Sequence, residues 1–565
     1  MKKLHYILFL LLPTTISANA QTQAKDTVVT RNVTVEREYV PTVKNAGKIM
    51  SVPQAVEPKD VKQEAVYTQF DLPLSVEGSI YTLPAARLTM MSKTNPYKGF
   101  ARIGIGSYPN TLADFVYPLV SNSDAQLDFS LFHRGTFGYE LYSKSTANLQ
   151  FDKKFDALNF FAGINGGHDY LRYYGNQYNV ATLARRPNIN FDSISNTNTF
   201  LKAGVYIGVL SAEEPYEWHY RVKAGYDLFN AGDISENTIS INGGLSAAYD
   251  DDRIGGDFGF YNMVYPTNTV IATPWNNYAV LMLNPYYYLQ RSENWSLKLG
   301  FKAAFSFMRG KAVNPSPDIR FDWKIAPEWL GFYGGLTGDY QRNTLNTILA
   351  ENPYLSFAEQ PKDTYTPFEF FGGVNIKPFD NMMVNFFANF RYIDNQYFFV
   401  NKQTEVLSWG FPLITETIFS NRFDMIYTAA THFKTGIRAS YNYQNRLNIQ
   451  FKSAYNGWNL HNDDIYAWNK PAWETDFSAD FNVTKELAFS LNAFYESERF
   501  AKLGDLHPAQ RMSPKVDINI GASYTYLDQL SFFAKVNNVL NNKYERFYGY
   551  QVQGLNVMAG ATFSF

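Results

Sequence analysis

The side chains able to do chemistry in this 565-residue chain are few and scattered. Beyond the first twenty residues there are six histidines: His133, His168, His219, His432, His461 and His507. No two of them stand at the i, i+3 or i+4 spacing of a helical metal site. His168-Asp169 has the composition of a general-base pair, but no serine in a nucleophile-elbow context accompanies it, so it reads as a solvated pair. Asp250-Asp251-Asp252 and His461-Asn462-Asp463-Asp464 offer hard oxygen ligands for Ca²⁺ without the spacing of a calcium loop, and read as solvated turns. Gly104 and Gly106 fall in an early strand pattern that no helix follows, which removes the dinucleotide fingerprint, and Gly166-Gly167 is likewise a strand end. Cysteine is absent, so there is no thiolate site, no disulfide and no lipid anchor through cysteine. The expectation is a protein that is not an enzyme, with no catalytic residue, cofactor or metal site.

One set of charges is patterned. Lys298, Lys302, Arg391, Arg438, Lys452 and Lys535 each occupy the polar face of an alternating segment. Together they suit a cationic interior that attracts anionic solutes. The plainer reading pairs them with Asp128, Asp517 and Glu496 across a wall.

Such charges need an element with two faces. Trp295, Leu297, Leu299, Phe301, Ala303, Phe305 and Phe307 alternate with Ser296, Lys298, Gly300, Lys302, Ala304 and Ser306. Val384, Phe386, Ala388 and Phe390 alternate with Asn385, Asn389 and Arg391, and Leu447, Ile449 and Phe451 with Asn448, Gln450 and Lys452. The chain ends the same way, Leu555, Val557, Ala559, Ala561, Phe563 and Phe565 against Asn556, Met558, Gly560, Thr562 and Ser564. Period two is the signature of a strand with one apolar face. Aromatic residues make up 17% of the chain, yet no apolar run after the leader is long enough for a transmembrane helix. An outer-membrane barrel, with aromatic girdles and a polar lumen, accommodates that combination. A large soluble sandwich or propeller is the alternative, and no repeat of propeller-blade length supports the latter. The formal net charge of −2 gives no reason to expect nucleic acid.

In chain order, residues 1–20 read as a secretory signal: Lys2 and Lys3, an apolar run, then Ala18-Asn19-Ala20 before the cleavage point. Residues 21–97 lack sustained alternation, are punctuated by Pro41, Pro53, Pro58, Pro73 and Pro84, and read as an extended periplasmic arm. Residues 98–565 carry the barrel. Tight turns at 121–124, 153–156, 250–252, 291–294, 326–328, 377–380, 444–446, 483–486 and 527–529 alternate with prominent loops at 169–197, 341–363, 394–431, 457–471, 499–514 and 538–555. Short turns belong on the periplasmic side of such barrels and long loops outside. The fold expected is all-β, a large antiparallel transmembrane β-barrel of about 22 strands with an extended N-terminal periplasmic segment. A lumen that wide requires occlusion, by the arm, by inward loops, chiefly 394–431, or by a partner.

Val536-Asn537-Asn538-Val539-Leu540-Asn541-Asn542-Lys543-Tyr544, followed by Gly549-Tyr550 and the terminal strand, resembles the ending of TonB-dependent receptors. Only the glycine of the usual Pro-Gly-Arg before the last strand is kept, in Gln553-Gly554-Leu555. The resemblance implies a 22-strand receptor barrel in the outer membrane of a Gram-negative bacterium, taking part in binding or passage of a ligand it does not identify. A non-transporting membrane subunit of an envelope complex is the alternative. The aromatic terminus, Phe563 and Phe565, resembles the signal read by barrel insertion machinery. A receptor of this family carries a plug of well over a hundred residues, and the stretch ahead of residue 98 is too short for a complete one. Thr27, Val28, Val29, Thr30, Val33, Thr34 and Val35 form a candidate partner segment, since an alternating Thr/Val strand can add to a sheet edge such as that of TonB. Partners expected are outer-membrane lipid, the insertion machinery and a periplasmic or surface protein.

Overall fold

Each alternating segment forms a strand hydrogen-bonded antiparallel to the next, and the last strand returns to the first. The computed structural model describes residues 97–565 except 180–184, 187–195, 213–217, 233, 267–274, 357–358, 409–413, 445, 463–465 and 504–507. The leader, the arm and the candidate partner segment therefore lie outside the described residues. The described residues form a closed antiparallel barrel of 22 strands, the number expected, with one short helix among them.

The alternation sets the facing. In the strand Trp295–Phe307, Leu299 and Phe301 are exposed on the outer surface, while Lys298 turns inward to Asp318 on the neighbouring strand Val313–Ala326. Outward aromatics gather at the two rims, Trp218, Tyr249, Trp329, Phe379 and Tyr526 at the end bearing Gly99 and Phe565 and Phe307, Phe368, Tyr455, Trp473 and Tyr495 at the other. An amphipathic ring is most stable where hydrocarbon meets water, so these girdles mark the two faces of a bilayer.

The seam joins Phe100–Gly106 to Asn556–Ser564 with Gly104 opposite Gly560. Both glycines lie beneath the Phe533 ring: a Cβ on Gly104 would stand 2.9 Å from it and one on Gly560 2.5 Å. Phe565 finishes the closure by exchanging backbone hydrogen bonds with Gly99 (2.9 and 3.0 Å) and stacking on Tyr117 at 5.6 Å.

Most of the tight turns fall where the alternation places them. The strand Thr364–Phe379 runs through the expected turn at 377–380, and the reversal comes at 380–381. The connection 212–217 on the same side was not among the expected turns. On the outer side, 107–109 and 232–233 are short, so loop length alone does not assign every side. The larger departure is at 394–431. This stretch is a continuation of the wall, formed by strands Met382–Ser408 and Ile414–Tyr443 of 27 and 30 residues. Their ladder pairs residues to Ser408 and Ile414, with shifts at Ile393/Gln396 and Asn401/Gln403. Bulges of this kind bend a hairpin, and here the bent part is buried on both faces, Tyr397 and Phe399 on one and Phe398 on the other.

Candidate functional site: the outer mouth

The outer loops converge on one aromatic cluster. Tyr354, in the connection 342–363, stacks on Tyr550 of the connection 538–555 with ring centroids 3.7 Å apart. Tyr174, in the connection 173–196, meets both rings edge-on at 6.1 and 5.0 Å. Phe547 lies against Phe399 and Phe423 of the long hairpin at 6.0 and 5.3 Å. Beneath them, inward side chains from the wall, among them Phe200, Phe229, Met263, Tyr278 and Val280, belong to the same buried cluster. Removing a large apolar side chain from water is worth about 1.5–3 kcal/mol, so a score of such residues gathers loops whose own pairing is limited to short ladders such as Glu545–Phe547 with Tyr550–Gln551.

Backbone contacts tie the loops together. Gln177–Asn179 pairs with the hairpin through Tyr178↔Phe419 and Asn179↔Ile418. The connection holding 177–179 leaves the fifth strand of the ring, Leu158–Arg172, and the hairpin ends in the sixteenth, Ile414–Tyr443. Eleven strands in a ring of 22 is half the circumference, so this ladder crosses the mouth. Asn421 donates through Nδ2 to the Tyr173 carbonyl (2.8 Å), and the Tyr550 hydroxyl donates to the Asn421 carbonyl (2.6 Å). Arg499, almost wholly buried, donates to the carbonyls of Glu545 and Arg546. Glu351 accepts from the Tyr397 hydroxyl at 2.6 Å and pairs with Lys470 at 2.8 Å.

The helix Leu345–Glu351 supplies the floor on one side. Thr344 caps it, its hydroxyl accepting from the Thr347 N–H at 3.2 Å, and Leu345, Ile348 and Leu349 are buried. The Leu345 N–H donates to Glu236 of the wall at 2.9 Å. Burial holds the phenols of Tyr174, Tyr354 and Tyr550 above the ordinary tyrosine range.

The motif that carried the resemblance anchors this cap. Asn538 takes a left-handed backbone, φ 50°, which Asn tolerates better than most side chains. Its Nδ2 donates to the carbonyls of Asn542 and Gln553, both at 2.9 Å, and its Oδ1 accepts from the Asn542 N–H at 3.0 Å. Gly549 sits at φ 88°, where a side chain would be strained, and it turns Tyr550 into the cluster. Tyr544 donates to Asp517 at 3.1 Å.

All six patterned cations face inward, but with other partners than expected. Lys298 and Lys302 share Asp318 at 2.6 and 3.6 Å, and Lys452 stands 3.5 Å from Glu474 and 3.9 Å from Asp476. Arg391 donates to His432 Nδ1 at 3.2 Å, Arg438 lies over the Phe387 ring, and Lys535 over Phe533. Asp128 instead accepts from Gln126, Asp517 from Tyr544, and Glu496 pairs with Lys515 at 2.7 Å. Apart from Lys298 and Lys302, which share a strand and Asp318, these cations lie on different strands, and the six do not converge on one site. His168 and Asp169 are neighbours on a strand and so face opposite ways: Asp169 pairs with Lys202 at 3.2 Å, which dissolves the dyad. Among the described residues no cluster of metal-ligating side chains forms.

The fold defines a class, the large closed antiparallel β-barrel of 22 strands, and the resemblance to TonB-dependent receptors holds at the level of that fold. Among solved structures, the chain is similar to the pyoverdine outer membrane receptor FpvA from Pseudomonas aeruginosa PAO1, with 10% identity, 84% of this chain and 79% of that one covered, and a TM-score of 0.61. It is similar to the siderophore receptor PirA from Acinetobacter baumannii, with 10% identity, 84% and 81% covered and a TM-score of 0.61. It is also similar to the copper transporter OprC, with 12% identity, 83% and 82% covered and a TM-score of 0.58. No protein-family model and no curated protein sequence matches the chain. At these identities the likeness is one of fold.

Proposed function

We propose that the protein is an outer-membrane receptor or conduit whose outer entrance is sealed by its own loops until a ligand or partner displaces them. The observation that carries this reading is the ladder from Gln177–Asn179 to Ile418 and Phe419, because it joins opposite sides of the ring over the lumen. A barrel that served only as a scaffold needs no bridge there. The named functions of FpvA, PirA and OprC, two receptors and a transporter, support the same class of activity here. The charged groups buried in the mouth are committed to structural partners, Glu351 to Lys470 and Tyr397, and Arg499 to the carbonyls of Glu545 and Arg546. The segment Thr27–Val35 is the natural point of contact for an energising partner such as TonB, by strand addition.

Single-channel recording in planar bilayers tests the seal. The intact chain is expected to hold the membrane at baseline conductance. Replacing residues 401–422 by a short Gly-Ser turn removes Ile418 and Phe419, the hairpin side of the cross-mouth ladder, and should give large, steady openings. A large current from the intact chain, or none from the shortened one, overturns the reading.

A further inference from the structure

Two imidazoles stand on the surface that meets lipid. Alternation puts His133 on the outward row of Ala125–Thr136 with Leu131, and His168 on the outward row of Leu158–Arg172 with Ile164. The register aligns them through one outward row, His133↔Ser145↔His168↔Leu201. Thr111, on the second strand, completes the patch. Its hydroxyl lies 3.0 Å from His133 Nε2, and the Ser145 hydroxyl lies 2.9 Å from His133 Nδ1. Tyr170 and Arg172 continue the His168 row toward the outer rim.

This is the height at which other strands carry the outer girdle of Phe307, Phe368, Tyr455, Trp473 and Tyr495. Here imidazoles and a guanidinium interrupt it, beside Tyr170 and the exposed Phe137. Polar groups facing hydrocarbon are expensive unless paired. His133 is paired within the patch, but among the described residues neither the His168 ring nor the Arg172 guanidinium has a hydrogen-bond or ion-pair partner. No carboxylate shares the outward rows with them: Asp169 and Asp114 both turn to the other face, where Lys202, Arg102 and Arg134 hold them.

The row just below points to the same kind of occupant. It reads Leu131↔Ala147↔Gly166↔Ala203, three small residues in succession. A Cβ placed on Gly166 would find no heavy atom nearer than 4.0 Å. Leu131, Ile164, Leu201 and Val205 stand exposed around it, so the small residues floor a shallow apolar trough that leads down from the imidazoles.

We propose that this patch is a binding site for a phosphate-bearing lipid of the outer leaflet. The phosphate lies against His168, Arg172 and the His133–Ser145 pair, and an acyl chain lies in the trough over Ala147, Gly166 and Ala203. Charge-assisted hydrogen bonds from guanidinium and imidazole give such a headgroup its selectivity, and the trough adds apolar contact that a free anion does not make. The site is independent of what passes through the mouth.

Native mass spectrometry of the full chain in nonionic detergent tests it, with phosphorylated lipid A and the same lipid A stripped of phosphate as probes. The intact protein should retain the phosphorylated form about tenfold more. His168→Gln with Arg172→Gln should bring the two forms to parity, and Gly166→Leu should weaken both. Heat-modifiable migration reports whether each variant is folded. The preference of the intact protein is decisive without any variant: equal retention of the two lipids overturns the proposal. A preference that survives in the folded double variant overturns it as well. Should the lipids be retained equally while Gly166→Leu releases a co-purifying membrane protein, the trough is a protein contact instead.

Discussion

Lys298 and Leu299 are adjacent residues with opposite surroundings, and they give the sharpest test of the wall. Lys298 lies 2.6 Å from Asp318 on the lumen side, whereas Leu299 is exposed where lipid packs. Leu299→Arg places a charge on the apolar band and should destabilise the barrel by about 2–4 kcal/mol, while Lys298→Arg keeps its partner and should be tolerated. Urea titration of the reconstituted barrel measures both, and equal effects would mean that the facing is wrong. Asn538 tests the anchor of the cap. Its side chain serves two carbonyls and one N–H in a buried turn. Asn538→Ala strands those groups and should lower stability by about 2–4 kcal/mol. Asn538→Gly relieves the φ of 50° but restores none of the hydrogen bonds, so it should recover only a small part. Full recovery in the glycine variant would assign the role to backbone conformation alone.

At the scale of elements, the wall was legible because each strand repeats one local rule. Outward Leu299, Phe386 and Phe563 needed only their neighbours in sequence to be assigned. The cap obeys no such rule. Tyr354 and Tyr550 meet across 196 positions of sequence, and nothing local to either loop fixes the partner. The one available signal was at 394–431, where Phe398 and Phe399 are consecutive aromatics; a stretch apolar on both faces is buried on both, and it marks a hairpin packed over the mouth rather than a solvated loop. Salt-bridge partners were missed for a related reason. Facing follows from parity, but Asp318 rather than Asp128 meets Lys298 because strand register, which parity does not contain, places it opposite. The terminal strand belongs with the legible elements: its apolar row is outward and Phe565 packs at the seam beside Phe563, at 5.9 Å. If that face is read during insertion, deleting Phe565 should reduce the yield of heat-modifiable protein in the outer membrane, and unchanged yield counts against the signal. Loss of the Tyr117 stack alone would instead lower stability after normal insertion.

For the whole molecule the question is which element closes a lumen of this width. Barrels of 22 strands are ordinarily plugged. A folded segment of about 75 residues has a radius of gyration near 11 Å, so the arm at 21–97 is small for the task by itself. The cap, in contrast, joins loops from opposite sides of the ring and buries their aromatic side chains together. A seal of this kind does not depend on the arm. Deleting residues 21–97 should therefore leave the bilayer conductance of the purified barrel at baseline, while shortening the hairpin at 401–422 should raise it. If the arm also fills part of the lumen, the double deletion should conduct more than the hairpin deletion alone; equal currents would confine closure to the cap. A large current from the chain lacking only 21–97 would reverse the assignment and make the arm the principal plug.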